Sequence, residues 1–200
     1  MRLVRNTGSD RVVDIIRPHL GDGTSIDAVS PALSIFGFGE LIDSLNRGSA
    51  CRLVLPASLD SHALVGTADE RTARNQLQTR WLAARLLRWL NDNVTVRLAR
   101  GGVPQGTLVL RDRSGAPVQA LLGAVGLTSE GLGLVPGNPL NLIQASESAA
   151  EAGMLAQWFE SQWALLPDTR AAKDELLRHI TALARHRDPH LIYALVLHHL

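Results

Sequence analysis

The sequence of 200 residues predicts an α/β fold, in which a mixed sheet is flanked by helices and followed by a helical extension. Three observations predict it. Segments with strand-like and helix-like periodicity alternate over the first hundred residues, which is typical of parallel strands joined by crossover helices. Two apolar runs around a Ser-Gly turn follow, which indicates an antiparallel hairpin. After about residue 146 the pattern is helical throughout.

The first third of the chain predicts three short strands separated by two helices. Ser9 is expected to cap the first helix and Gly21 to end it. Ser34 is expected to cap the second helix, which ends at Gly48. The strands are predicted at residues 2–4, 25–33 and 51–57.

The longest predicted helix follows a loop at 56–69 and runs from Asp69 to Asn91. A cleanly alternating strand at 94–100 comes next, and then the hairpin around Ser114 and Gly115. A glycine-rich loop and a last strand complete the sheet. That strand and the helices after it are predicted at 140–146, 147–166, 169–187 and 189–200.

The last segment, DPHLIYALVLHHL, opens with an Asp-Pro helix start and is apolar almost throughout. Because a natural terminus is usually polar and frayed, we expect this helix to pack against a further domain of a longer protein. The alternative is a short helix that packs on the chain's own core. We therefore divide the chain into an α/β domain, 1–146, and a helical extension, 147–200.

Composition and charge exclude several classes of function. The net charge is only +1, so bulk attraction to nucleic acid is absent and only local patches matter. Nineteen of the twenty basic residues are Arg, which suits phosphate recognition but is also typical of a GC-rich genome. Cys51 is the only cysteine, which excludes a disulfide within the chain and a CxxC zinc site. We expect a cytoplasmic protein, since no signal peptide or membrane span is visible.

Neither metal nor cofactor chemistry is indicated. His179, His186 and His190 are seven and four residues apart, but Pro189 is expected to break the helix between the last two. No HExxH or GxSxG motif is present. His62 lies in a predicted loop beside Asp60 and Ser61, where a solvated side chain is the simpler interpretation. We expect no metal site and no cofactor.

Residues 103–133 contain the spacing of a known catalytic motif, with its reactive side chains replaced. The segment VPQGTLVLRDRSGAPVQALLGAVGLTSEGLG resembles the phospholipase D superfamily, whose hallmark is His-x-Lys-x4-Asp. Gln105 stands where the His would be, Thr107 stands for the Lys, and Asp112 keeps the Asp at the matching spacing. The alternative is a hairpin and loop of an unrelated fold.

The second half of the motif in that family is a strand that ends in Gly-Ser-x-Asn-x-Thr, and GAVGLT at 123–128 is similar to it. Gly123 and Thr128 match, whereas Ala124 replaces the Ser and Gly126 replaces the Asn. The backbone N–H groups around Gly123 and Gly126 could still form an anion-binding nest. Thr128 or the following Ser is expected to cap a short turn.

The replacements imply that the family's phosphodiesterase chemistry does not run here. Glutamine cannot act as the nucleophile or the proton shuttle that imidazole provides. Threonine carries no positive charge for the developing phosphorane, and glycine has no side-chain amide. A divergent nuclease that uses Asp112 and His62 remains an alternative.

The wider sequence is similar to the phospholipase D-like domain found ahead of bacterial Snf-type or DEAD/DEAH helicases. The similarity covers the N-terminal strands and helices, the segment GTADERTARNQLQTRWLAARLLRWL and the tail AQWFESQWALLPDT. It implies a helicase domain downstream. It also implies a homodimer or pairing with a second domain, because members of the superfamily pair two motif halves and this chain has one.

The long helix has an arginine-rich stripe. Seven arginines between residues 70 and 100 face only two acidic residues, Glu70 and Asp92, which gives a local charge of +5. Arginines with an interleaved aromatic ring suit a nucleic-acid backbone and an unstacked base. The alternative is a solvated face whose arginine stems cover apolar surface. The DNA-binding candidates are Arg71, Arg74, Trp81, Arg85 and Arg88.

Overall fold

A computed structural model describes residues 1–45, 50–57, 64, 76–168 and 170–184. The described strands are β1 (Arg2–Val4), β2 (Ser25–Val29), β3 (Ala50–Leu55), β4 (Val94–Leu98), β5 (Gly106–Arg111), β6 (Pro117–Gly123) and β7 (Ile143–Ala145). The described helices are α1 (Val12–Ile16), α2 (Ile35–Leu45), α3 (Gln76–Asn93), α4 (Ala149–Leu165) and α5 (Arg170–Ala184). No helix in these ranges is both long and apolar enough to cross a membrane.

The strands form one mixed sheet in the order β1-β7-β6-β5-β2-β3-β4. Strands β2, β3 and β4 are parallel, with a helix between β2 and β3 and another before β4. Strand β5 runs antiparallel to β2, and the hairpin partner β6, then β7 and β1, continue the antiparallel part. The α/β class and the mixed sheet are therefore confirmed. Strand β1 lies at the sheet edge as predicted, next to β7.

The first helix differs from its prediction at both ends. It begins at Val12, and Ser9 lies in the turn before it instead of capping it. The cap comes from Asn6, whose backbone has a φ of 55° and whose side-chain oxygen accepts the N–H of Val12 at 3.0 Å. Pro18 cannot donate a backbone hydrogen bond, and residues 17–19 form a tighter 3₁₀ turn.

The other predicted cap is confirmed, and one more appears. The Ser34 hydroxyl accepts the N–H of Phe36 at 3.2 Å at the start of α2. The Ser148 hydroxyl accepts the N–H of Glu151 at 3.3 Å at the start of α4. The predicted helix at 189–200 and the predicted stop at Gly48 lie outside the described residues.

One face of the sheet, here called the α2 face, holds the main core. Helices α1, α2 and α3 bury their apolar sides against alternate residues of the central strands. Phe38 and Trp89 pack with ring centroids 5.3 Å apart between α2 and α3. Helix α5 packs on α3 through Leu176 and Ile180. Cys51 of β3 is buried in this core, and desolvation raises the pKa of its thiol.

Helix α4 covers part of the opposite face, here called the α4 face. Its small residues Ala152 and Ala156 let it approach Val109 and Ala120 closely. Phe159, which is fully buried, packs on the ends of β2 and β3. Burial of a side chain of this size contributes about 2–3 kcal/mol to the free energy of unfolding. The helix predicted as an extension is thus packed directly on the sheet.

Polar contacts fix α4 on the sheet through four side chains, here called the Asp27 charge cluster: Asp27, Arg52, Arg111 and Glu160. The Asp27 carboxylate is 2% exposed and receives Arg52 Nε at 2.6 Å and Arg111 Nε at 2.7 Å. The same two arginines continue to Glu160 of α4, with N–O distances of 2.6 Å and 2.9 Å. The cluster therefore joins β2, β3 and β5 to α4.

The contact between Arg52 and Glu160 favours the charged form of both side chains. The hydrogen bond from Arg52 is the main cause that lowers the pKa of Glu160. The hydrogen bond to Glu160, followed by that to Asp27, raises the pKa of Arg52. The Arg52 guanidinium also lies 5.0 Å from the ring centre of Phe159, so it packs against α4 as well as pairing with it.

A second arginine holds the C-terminal end of α4. The Arg97 guanidinium of β4 lies 4.4 Å from the ring centre of Trp163. Its Nη1 donates to the carbonyl oxygens of Trp163 and Leu166, the latter at 3.2 Å. These carbonyls lie at the end of the helix, where a positive charge is favourable.

The start of β5 leaves no room for a side chain. A Cβ on Gly106 would lie 1.7 Å from the carbonyl oxygen of Val125, in the loop after β6. We expect Gly106→Ala to lower the free energy of unfolding by about 3 kcal/mol, because backbone must move to admit the methyl group. Urea unfolding measures the loss. Gly101→Ala is the matched control, since its Cβ meets nothing within 4 Å. Equal stability of the two variants would contradict the contact.

The Asp27 charge cluster predicts unequal costs for its two acids. Asp27→Asn leaves two arginines facing a buried neutral group, and we expect it to lower the free energy of unfolding by about 3 kcal/mol. Glu160→Gln removes a side chain that is 49% exposed, and we expect a loss of about 1 kcal/mol or less. Thermal and urea unfolding of both variants test this order. A larger loss for Glu160→Gln would show that the cluster is not centred on Asp27.

Candidate functional site

A cleft of about 600 Å³ opens on the α4 face, at the carboxyl ends of the parallel strands. Its floor is formed by the residues that alternate onto this face at the ends of four neighbouring strands. They are Val54 of β3, Val29 of β2, Thr107 of β5 and Leu122 of β6. In open α/β sheets, the crevice outside the carboxyl ends of the strands is where ligands usually bind.

Two walls enclose this floor. One wall is the flank of α4 that carries Trp158, Gln162 and Leu165. Glu160 lies on the other flank of the same helix and enters the Asp27 charge cluster, which therefore sets how α4 faces the cleft. The opposite wall is the connection from β4 to β5, which contributes Ala99, Arg100, Gly102, Val103, Pro104 and Gln105.

The described lining of the cleft is mainly apolar on its floor. Its polar side-chain groups are the amides of Gln105 and Gln162, the Thr107 hydroxyl, the Trp158 indole N–H and the Arg100 guanidinium. Among the described residues that line it, there is no His, Cys, Asp, Glu or Lys. These groups can donate and accept hydrogen bonds, but none of them is a nucleophile or proton shuttle that works near neutral pH.

The structure brings Gln105 and Thr107 together in this cleft. Gln105 lies in the bend just before β5 and Thr107 is the second residue of that strand, and both line the cleft. Thr107 is 1% exposed and lies between Val29 and Leu122 in the strand register. Gln105 is exposed at the rim.

Asp112 lies at the other end of β5, about 20 Å away at the usual rise of a strand. Its Oδ1 accepts the N–H of Ser114 at 2.8 Å, the Ser114 hydroxyl at 2.6 Å and the N–H of Ala116 at 3.1 Å. The Ser114 hydroxyl is the main cause that lowers the pKa of Asp112. The carboxylate thus holds the hairpin turn, in which Gly115 has a φ of 82°.

The loop at 123–128 turns away from the cleft. Gly123, Ala124, Gly126 and Thr128 line no part of it. Val125 and Leu127 enter the core of the α2 face instead. The two halves of the motif meet through backbone, where Gly106 pairs with Gly123 and approaches the carbonyl of Val125, and in the core, where Leu108 and Leu127 join one apolar cluster.

Backbone N–H groups of this loop donate hydrogen bonds to other parts of the protein. The N–H of Ala124 donates to Leu142 O, and the N–H of Leu127 donates to the Ser30 hydroxyl, both at 2.9 Å. These two donors are therefore engaged within the protein rather than free for the predicted anion-binding nest. The Thr128 hydroxyl accepts the N–H of Gly131 at 3.0 Å and so caps a short turn, as predicted.

The described part of the arginine stripe lies on α3, on the side of the sheet opposite to the cleft. Trp81 is 52% exposed, and the Arg85 guanidinium lies 4.7 Å from its ring centre. Arg85 also faces Asp43 of α2 at 3.6 Å. Arg88 is exposed one turn further along the helix. Arg71 and Arg74 lie outside the described residues.

Within the described ranges, no group of three or more His, Cys, Asp and Glu side chains could hold a metal ion. His179 lies on α5, and its buried Nδ1 has no partner among the described residues. His62 and the histidines from residue 186 onward lie outside the described residues.

Sequence reasoning missed the α4 wall of the cleft, because it assigned this helix to an extension. A usable signal is present. Met154, Trp158 and Leu165 recur at intervals that place them on one flank of the helix, and all three are exposed. An unpaired apolar flank beside a second, buried flank indicates a helix that packs on the sheet and still presents a surface.

Comparisons with known proteins give matches to several solved structures, among them two of low sequence identity. Nuc, a phospholipase D family member from Salmonella typhimurium, matches with a TM-score of 0.45 and 13% identity, over 78% of this chain and 89% of that one. TrmBL2, an archaeal chromatin protein whose structure shows a novel mode of DNA binding, matches with a TM-score of 0.45 and 9% identity, over 84% of this chain. The match spans 54% of TrmBL2, about half its length. No protein-family model and no curated protein sequence matches the chain.

Proposed function

We propose that the chain is a phospholipase D-like module that binds without cleaving, as a DNA-binding or assembly domain at the front of a helicase-type protein. One observation carries the proposal: Gln105 and Thr107 stand together in a cleft at the sheet edge, in the positions that the resemblance gives to the catalytic His and Lys. The shape of a binding site is present, while the described lining offers no nucleophile.

A divergent nuclease has less support from the geometry. Asp112, one of its two candidate residues, is held in the hairpin turn at the opposite end of β5 from the cleft. A general acid or base must come within hydrogen-bond reach of the proton that it transfers. The other candidate, His62, lies outside the described residues.

The DNA-binding part is supported by the exposed end of the stripe on α3. Arg85 and Trp81 combine a partly exposed guanidinium with an exposed aromatic ring, and Arg88 adds an exposed positive charge. Asp43, the partner of Arg85, has an 88% exposed side chain. Exposed ion pairs contribute little, so a phosphate can replace this carboxylate at small cost.

An assembly role has a separate observation in its favour. The apolar flank of α4 exposes Met154, Trp158 and Leu165 beside the cleft, which suits a protein partner. The partner would be a second copy of the chain, a second domain that supplies the missing motif half, or the downstream helicase domain. Light scattering against concentration separates a dimer from a monomer.

The DNA-binding proposal predicts affinity that depends on salt. We expect binding to duplex and single-stranded DNA to weaken as salt rises, because arginines release counterions from the phosphates. Arg85→Ala with Arg88→Ala is expected to reduce the log–log slope by about 1 to 2. Fluorescence anisotropy over a salt series measures the affinity and its slope. The double variant Arg74→Ala with Arg85→Ala is measured in the same way.

Arg113→Ala is the matched control for those variants. Arg113 is an exposed arginine on the β5–β6 hairpin, where it donates to Asp22 O at 2.8 Å, and it lies away from α3. We expect the DNA affinity of Arg113→Ala to depend on salt with the same slope as that of the unaltered protein. Binding that ignores salt, or that falls equally in all variants, would defeat the DNA part of the proposal.

The lost-chemistry part predicts no hydrolysis. We expect no turnover of bis-p-nitrophenyl phosphate or of single-stranded DNA above the blank, because the described cleft lining supplies no nucleophile. Asp112→Ala is the control variant, and its rate should equal that of the unaltered protein and of the blank. Turnover that Asp112→Ala abolishes would instead support the nuclease alternative.

A further inference from the structure

We propose that the cleft on the α4 face binds an uncharged planar ring with a hydrogen-bonding edge, namely an unpaired nucleobase of a single-stranded nucleic acid. This inference rests on the proposed function, and it names what the cleft itself takes. The cleft and the arginine stripe then act on opposite sides of the sheet, one on a base and the other on backbone phosphates.

Size and apolar character fit a ring. Small-molecule sites usually enclose about 300–1,000 Å³, and this cleft encloses about 600 Å³. The floor formed by Val29, Val54 and Leu122 is apolar. The indole of Trp158 stands in the wall and is 42% exposed, so a ring face is available for stacking.

The polar groups fit the edge of a base. Gln105 projects from the strand connection, Gln162 projects from α4 on the facing wall, and both are exposed. Each amide can donate and accept, which is the capacity needed to pair with the edge of a base. Thr107 lies on the floor but is only 1% exposed, so the two amides carry the polar recognition.

The distribution of charge places the phosphate at the rim. Arg100 is the only charged side chain among the described lining residues, and it is exposed. A single guanidinium at the mouth suits one phosphate outside the cleft, whereas the centre offers no charge for an anion. A strand whose base enters the cleft would present its phosphate to Arg100.

An apolar peptide segment fits this cleft less well. It would cover the exposed amides of Gln105 and Gln162 without supplying hydrogen bonds to them. Burial of unpaired polar groups is unfavourable, so such a partner would gain apolar contact and lose amide hydration. A nucleobase satisfies the amides and the apolar floor together.

The test compares two strands of equal length and charge: an oligothymidylate and the same backbone with abasic sites. We expect the base-bearing strand to bind about tenfold more tightly, as stacking of a base on an aromatic ring usually provides. Trp158→Leu is expected to reduce this ratio towards one, while Trp158→Phe keeps it because a ring remains. Gln162→Leu is a second variant that should also reduce the ratio.

Leu140→Ala is the control, because it removes an exposed apolar side chain that lies neither in the cleft nor on α3. It should leave the binding of both strands and their ratio unchanged. A thymidine monophosphate titration followed by NMR adds a readout that does not need the stripe. We expect shifts at the cleft residues, and Trp158→Leu should abolish them.

The outcomes separate this inference from the proposed function. Equal, salt-dependent binding of both strands leaves the proposed function standing and overturns the nucleobase site. A second outcome is that neither strand binds, while thymidine monophosphate still shifts the NMR signals of the cleft residues. This result overturns the DNA-binding module and supports the nucleobase site. A third outcome is that the NMR signals of the cleft residues shift only with protein concentration or with a leucine-rich amphipathic peptide. This result identifies a protein-docking surface and overturns the nucleobase site.

Discussion

The buried carboxylate of Asp27 is the contact on which the α4 face depends. It pairs with arginines of the two strands beside β2, and those arginines reach Glu160 of α4. Helix α4 has only a narrow apolar seam, built from two alanines and Phe159, so hydrophobic burial alone would leave its rotation weakly defined. The Asp27 charge cluster and the contact between Arg97 and Trp163 fix this rotation. They thereby determine which side chains of α4 form the cleft wall.

The sheet changes direction at β2, and this change organises the possible binding surfaces. A parallel neighbour lies on one side of β2 and an antiparallel neighbour on the other, so strand ends and a strand start meet at one edge. Gln105 and Thr107 enter the cleft there, while the loop after β6 crosses to the α2 face. The two motif halves thus meet through backbone at Gly106, while Gly123, Ala124, Gly126 and Thr128 line no part of the cleft.

Local features could be read from the sequence, whereas long-range pairing could not. The hairpin around Ser114 and the cap at Ser34 were predictable because turn and cap chemistry involve residues a few positions apart. The cap from Asn6 was missed because it depends on an unusual φ, and the place of β1 beside β7 depends on pairing across about 140 residues. The cleft was missed because its α4 wall is defined by tertiary packing, and residues 105 and 107 alone do not reveal it.

The single cysteine has a practical consequence. Cys51 lies on β3, next to the edge strand β4, is 3% exposed and has a thiol pKa raised by burial, so its reactive thiolate form is suppressed while β3 stays in place. The rate at which a thiol reagent modifies it therefore reports how often this part of the core opens. The native cysteine can therefore be used to measure local opening of the core, and no labelling site has to be introduced by mutation.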